Sequence, residues 1–207
     1  KAAQVAALFA RESAVDVPGA TVLVARGDTV LLEAAYGVAN LAHGILLTPR
    51  MKFRIASLTK QFVATAILIL QERRQVCVDD PLAKYVTDYP RGDEIPLRHL
   101  LTHTSGILNY TGVDAYWRQD RLPLSHDQMM AFFRDAPLDF VPGARWGYSN
   151  SGYYLLGMVI ETVTGLSCEQ FLRQDILAPL GLASTGHDHH RDILVGRVSG
   201  YAYADGQ

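Results

Sequence analysis

Four residues in this 207-residue chain have the types and spacing to break a carbonyl bond by covalent catalysis: Ser57, Lys60, Tyr148 and Asn150. Ser57-Leu58-Thr59-Lys60 sets a hydroxyl and an amine three residues apart, within about 60° on one helical face. The pair falls at the start of an apolar helix expected over Phe62–Arg73, where unpaired N–H groups and the helix dipole favour developing negative charge. A serine there becomes a nucleophile when a neighbour takes its proton, and a neutral amine one turn away can do so. Tyr148-Ser149-Asn150 opens a second apolar helix. A phenol beside a lysine can carry a proton between nucleophile and leaving group, and an asparagine amide can bind both a substrate amide and the lysine. Each segment also has a plain structural reading. Ser57 fits a helix cap with a solvated Lys60, and Tyr148 and Asn150 fit a buried phenol and an N-cap.

The elements that must position these groups follow from the pattern of the chain. Lys1–Ala14 is rich in alanine with apolar residues at helical spacing, so it reads as a helix ended by Pro18-Gly19. Ala20–Ala25 reads as a buried strand. Arg26-Gly27-Asp28 is a turn, and Thr29–Gly37 is the return strand of a hairpin. Asn40–Pro49 reads as a loop. The Ser57 helix carries an apolar stripe of Leu58, Phe62, Ala66 and Leu70, flanked by Val63 and Ile67, which makes it a central helix. Short helices are expected from Asp79-Asp80-Pro81-Leu82, over Pro96–Leu101 and over Ser125–Arg134, the last capped by Ser125 or His126. Gly106–Leu122 has weak periodicity; its Tyr110, Tyr116 and Trp117 fit a cleft wall or core packing. Val141-Pro142-Gly143 is a turn. Ser151–Thr164 is a strongly apolar helix closed by Gly165, and Ser167–Ile176 is a further helix before Pro179 and Gly181. From His187 the chain is loop-like and ends in a candidate strand.

Composition narrows the function classes. With 49% hydrophobic and 19% charged residues the chain is globular rather than disordered. A net charge of −2 offers no electrostatic argument for nucleic acid or an acidic membrane. No apolar run reaches the length of a membrane span. Cys77 and Cys168 suggest neither a zinc site nor a disulfide framework, although one disulfide stays open. His99 and His103 are spaced as a helical metal pair but lack the glutamate of an HExxH site, so structural hydrogen bonding is the favoured reading. The run from His187 to His190 reads as a solvated loop, Arg91-Gly92-Asp93 as a turn, and Gly147-x-Ser149 fails the nucleophile-elbow pattern because position 151 is Ser. The start at Lys1 suggests a trimmed or processed N-terminus.

Taken with its surroundings, the sequence resembles the serine β-lactamase and penicillin-binding fold, in the class C β-lactamase-like branch that also holds D-alanyl-D-alanine carboxypeptidases and β-lactamase-like esterases. Four segments carry the resemblance: Phe53–Lys60 (FRIASLTK), Leu97–Ile107 (LRHLLTHTSGI), Pro142–Tyr153 (PGARWGYSNSGY), and Pro179–Leu182 followed by Thr185-Gly186. The resemblance implies Ser57 as the acylated nucleophile, Lys60 as its proton acceptor, Tyr148 as general base or relay, and Asn150 as the residue binding the substrate amide. It also implies that the Ser57 backbone N–H is half of an oxyanion hole. The family's third motif, a basic or His residue with Ser/Thr and Gly on a late strand, has no convincing match after Tyr148. Ser184-Thr185-Gly186-His187 has the residue types but aligns better with the segment preceding that strand.

The expected fold is therefore α+β and β-lactamase/transpeptidase-like. It is a single domain over 1–207 with C-terminal sheet strands missing: 1–50 belongs to the α/β region, 51–185 is mainly helical, and 186–207 is a loop with the candidate strand. The expected function is serine acyl hydrolysis of a β-lactam, a D-Ala-D-Ala peptide or a small ester, with no metal or organic cofactor. The alternatives are a non-catalytic penicillin-binding or sensor-like relative, an inactive fragment, or metal-dependent hydrolysis through the histidines. The partner is a small molecule or a peptidoglycan peptide, with a second chain or a further segment completing the sheet. The expected location is periplasmic or secreted, with a cytoplasmic one as the alternative.

Overall fold

The computed structural model describes residues 2–9, 16–119, 121–189 and 192–202. Its contacts divide the chain into two compact units, Lys1–Ile55 with Arg191–Gln207, and Ala56–His190.

The terminal unit begins with α1 (Ala2–Leu8), and residues 1 and 10–14 of the expected first helix lie outside the described residues. β1 (Ala20–Arg26) and β2 (Thr29–Tyr36) form the expected antiparallel hairpin, in register from Ala20 opposite Tyr36 to Arg26 opposite Thr29. The ring of Phe9 stacks on that of Tyr36 at 5.1 Å. β1 is less buried than its apolar sequence suggests, and Leu23 is 65% exposed. Two paired strands cannot shield both of their own faces. Asn40–Pro49 is not a plain loop: β3 (Val38–Asn40) and β4 (Ile45–Leu46) pair across it, strands too short to leave an alternating pattern. The end of the chain returns to this unit. Lys52 N–H donates to the Gly196 carbonyl, Val198 N–H to that of Lys52, and Ser199 N–H to that of Ala39. The candidate late strand is thus a single bridge between Lys52 and Arg197.

The central unit is built on α2 (Thr59–Glu72), α3 (Leu97–Leu101) and α6 (Asn150–Thr164), with α2 and α3 both packed on α6. The inward faces are those the periodicity predicts: Val63, Ala66, Ile67 and Leu70 on α2, and Leu155, Leu156, Val159 and Ile160 on α6. Leu58 departs from the stripe and is exposed. It lies in the 3₁₀ turn Ala56–Leu58 before α2, where a spacing of 100° per residue no longer applies. The helix expected at Asp79–Leu82 is a 3₁₀ turn over Leu82–Lys84. Asp80 instead bonds Cys77 N–H, Lys84 Nζ and the Tyr85 hydroxyl. Between them lie α4 (Asp114–Trp117) and α5 (His126–Met130), the latter capped by Ser125 in a capping box with Gln128 and shorter than expected. α7 (Cys168–Leu172) widens into a π-helical turn over Arg173–Leu177. Among the described residues no single helix is long and apolar enough to cross a membrane.

One long irregular stretch, 139–149, carries Tyr148 to the start of α6. It is tied to the chain after α3 by three backbone bonds: Asp139 N–H to the Gly106 carbonyl at 2.8 Å, Gly143 N–H to that of Thr104 at 2.8 Å, and Gly147 N–H to that of His103 at 2.8 Å. Gly106 makes the close approach possible. Its φ is +76°, and a Cβ there would stand 2.1 Å from the Phe140 carbonyl oxygen. Gly106→Ala combines left-handed strain with a backbone clash, so it is expected to lower unfolding free energy by about 3 kcal/mol or more, read by urea titration.

Candidate active site

All four residues singled out from the sequence come together inside the central unit. Ser57 sits exposed in the 3₁₀ turn, preceded by Ala56 at φ +44°, an unfavourable conformation for a residue with a Cβ. Ser57 Oγ shares a 2.6 Å hydrogen bond with the Tyr148 hydroxyl, and Lys60 Nζ donates to the same Oγ at 3.1 Å. Lys60 Nζ also donates to Asn150 Oδ1 at 2.6 Å and lies 4.9 Å from the centre of the Tyr148 ring. The helix start supplies the geometry. Ser149, 2% exposed, is the N-cap of α6, its Oγ accepting from Gly152 N–H. The cap reading of Asn150 is therefore overturned. Asn150 is the first residue of α6, and its side chain turns to Lys60.

A layer the sequence did not single out supports Asn150. Asn109 Oδ1 accepts both the Asn150 backbone N–H at 3.0 Å and its side-chain Nδ2–H at 3.2 Å, and Thr111 Oγ1 also accepts from Nδ2 at 3.2 Å. Asn109 is fixed in turn by Ser151, whose Oγ donates to the Leu108 carbonyl at 2.6 Å and accepts Tyr110 N–H at 3.0 Å. The two acceptors fix which end of the Asn150 amide faces Lys60: Nδ2 is held by oxygens, so Oδ1 points to the ammonium. The only hint in the sequence was position, since Asn109 and Thr111 flank Tyr110 in the stretch expected to wall a cleft. Asn109→Ala is expected to cost about 1–3 kcal/mol of stability by orphaning a helix N–H, and to lower the catalytic rate by ~10-fold as Asn150 loses its orientation. Thermal unfolding and steady-state kinetics on one preparation measure both.

Comparisons with known proteins show the family. The family model described as Beta-lactamase matches residues 5–206. The chain belongs to the Beta-lactamase family. A penicillin-binding protein of Bacillus subtilis (strain 168) is 31% identical over 185 residues, which cover 88% of this chain and 41% of that protein. The esterase EstB of Burkholderia gladioli is 33% identical over 183 residues, covering 81% and 46%. The crystal structure of a D-amino acid amidase from Ochrobactrum anthropi SV3 superposes with a TM-score of 0.80 at 28% identity, covering 91% of this chain and 52% of that one. The fold is thus β-lactamase/transpeptidase-like, in a family of serine-hydrolase type. The chain spans less than half the length of these two curated relatives.

Electrostatics single out Tyr148 within the candidate site. Burial pushes its phenol up, but hydrogen bonding from Lys60 and Ser57 and the Lys60 charge outweigh burial and hold it below the ordinary tyrosine value. Nearby phenols go the other way: burial pushes Tyr110 up to about 12 and also raises Tyr153. The other candidates have structural partners. His99 Nδ1 pairs with Thr104 Oγ1 at 2.7 Å, and His103 Nδ1 accepts from Ser149 N–H. His189 Nε2 pairs with Glu169 at 2.7 Å. Arg91 is engaged by Glu94 in a turn, and Cys77 and Cys168 are free thiols. Ser184-Thr185-Gly186-His187 lies in irregular chain after the π turn, not on a strand. Tyr116 is half-buried and packs edge-on against both Tyr110 and Phe132, whereas Trp117 is 57% exposed.

Proposed function

We propose that the protein carrying this chain is a serine acyl hydrolase that works through an acyl-enzyme on Ser57. The observation that carries this reading is the position of one oxygen. Ser57 Oγ is held by Tyr148 at 2.6 Å and Lys60 at 3.1 Å, and Lys60 is anchored by Asn150. Oγ attacks a carbonyl carbon. Its proton passes to the Lys60/Tyr148 pair, and the tetrahedral oxyanion faces the backbone N–H of Ser57. Within the pair, the shorter bond and the lowered phenol favour Tyr148 as the group that takes the proton, with Lys60 as the cation that keeps the phenolate accessible. The proton then goes to the departing nitrogen or oxygen as the carbonyl bond to it breaks. In the second half, water loses a proton to the same pair and attacks the acyl carbon, and the proton passes to Ser57 Oγ as its bond to that carbon breaks, releasing the acid. Asn150 Nδ2 is held by Asn109 and Thr111, so it meets a substrate amide only by sharing its donors.

The substrate class we infer is a β-lactam, a D-Ala-D-Ala peptide or a small ester. A penicillin-binding protein and an esterase at similar identity support that range without choosing within it. The full-length protein, incubated with a penicillin and separately with a p-nitrophenyl ester, is expected to gain one acyl group per chain on the peptide containing Ser57. Hydrolysis of the ester is expected to show a burst of one equivalent. A folded protein that takes up no adduct, or takes it up elsewhere, would overturn the reading. A stable penicilloyl adduct without turnover of any substrate would mark the sensor-like alternative.

A further inference from the structure

Two hydrogen bonds grip the residues on either side of Tyr148, and both end on His103. The His103 carbonyl accepts Gly147 N–H at 2.8 Å, and its Nδ1 accepts Ser149 N–H at 3.2 Å. Its ring centre stands 4.6 Å from that of Tyr148, 5.1 Å from that of Tyr153 and 6.2 Å from that of Trp146. The backbone of His103 is left-handed, at φ +59°, and this lets carbonyl and side chain engage the same short segment. Position 103 was read from the sequence as half of a metal pair or as a structural histidine. In the structure it is the residue that fixes where the phenol hangs.

We propose that His103 is a positioning residue for Tyr148, working only as the neutral imidazole with its proton on Nε2. The proposal rests on the reading of Tyr148 as the proton acceptor. The tautomer follows from the hydrogen bond, because a nitrogen that accepts an N–H cannot carry its own proton. Protonation would set Nδ1–H against Ser149 N–H, break the grip at the cap of α6, and add a positive charge beside Lys60. The titratable and charged groups facing the ring are Lys60 from α2, Tyr148 from the 139–149 segment and Tyr153 from α6. Burial, and then the Lys60 charge, hold the imidazole below its ordinary value, which keeps it neutral at pH 7. His103 acts on the reaction through Tyr148.

The test uses ester hydrolysis by the full-length protein, with thermal unfolding of every variant. His103→Phe keeps a ring and removes the acceptor; kcat is expected to fall ~10-fold with KM changed less than about twofold. His103→Asn suits the left-handed backbone and restores an acceptor; it is expected to recover part of kcat. Below the lowered value of the His103 imidazole the wild-type log kcat should fall more steeply than the single proton on Tyr148 requires, and His103→Asn should remove that extra steepness. The asparagine variant carries the test if the phenylalanine variant does not fold. Wild-type kcat in folded His103→Phe, a loss explained wholly by less folded protein, or an unchanged acid slope in His103→Asn overturns the proposal. Tyr148→Phe measured alongside separates the two readings. If it keeps wild-type kcat, the reading of Tyr148 as the proton acceptor fails, and Lys60 takes the proton from Ser57 itself. If it is inactive while His103→Phe is intact, only the role of His103 fails.

Discussion

Ser57→Ala is expected to abolish covalent labelling and to reduce hydrolysis by ~10³-fold or more, without lowering the melting temperature. The size of the effect follows from what is removed. Ser57 Oγ is the one oxygen reached by both Tyr148 and Lys60, so the variant keeps the proton-handling pair but gives it nothing to deprotonate. The lack of effect on the fold follows from where Ser57 lies. It is exposed in a 3₁₀ turn, and among the described residues its side-chain hydrogen bonds go to Tyr148 and Lys60. Lys60 retains Asn150, and Asn150 retains Asn109 and Thr111. A variant that still forms a penicillin or fluorophosphonate adduct would move the nucleophile to another residue. Calorimetry and intact-mass spectrometry on one preparation keep the stability and activity readings comparable.

The sequence singled out the four residues that meet in the site but not those that hold them. Ser57 and Lys60 were legible because a hydroxyl and an amine one turn apart at a helix start are locally informative. Tyr148 and Asn150 were legible because they open a strongly periodic helix. Asn109, Thr111 and His103 act across 40 or so residues of irregular chain. Their bonds depend on how two loops pair side by side, and no local spacing encodes that pairing. The same limit explains the smaller differences. Ser149 rather than Asn150 caps α6, because either type caps well and only tertiary contact with Lys60 decides between them. β3 and β4 are too short to show alternation. Residues 192–202 join the unit at the other end of the chain, an association between segments more than 140 residues apart.

Tyr148→Phe is the variant that separates the roles of the lysine and the phenol. It deletes one oxygen and leaves a ring that can keep its packing against His103 and Trp146, so the fold is expected to stay and the acylation rate to fall by ~10²–10⁴-fold. The pH dependence gives the sharper prediction. A phenol takes a proton only as phenolate, and Tyr148 lies below the ordinary value of 10 because hydrogen bonding from Lys60 and Ser57 and the charge of Lys60 overcome the opposing effect of burial. The wild-type acylation rate should therefore climb with pH and level off before pH 10, whereas Tyr148→Phe should lose that limb. Lys60→Met should shift it the other way, because with the cation gone burial remains to push the phenol up, and the climb moves to higher pH. The two substitutions should also fail to add. Once Tyr148 is phenylalanine, removing Lys60 can cost only what the lysine does by touching Ser57 directly. If Tyr148→Phe keeps the wild-type limb, the phenol is not the group being titrated and Lys60 must take the proton itself. If the double variant loses the full product of the two single losses, lysine and phenol act independently on Ser57 rather than as a coupled pair.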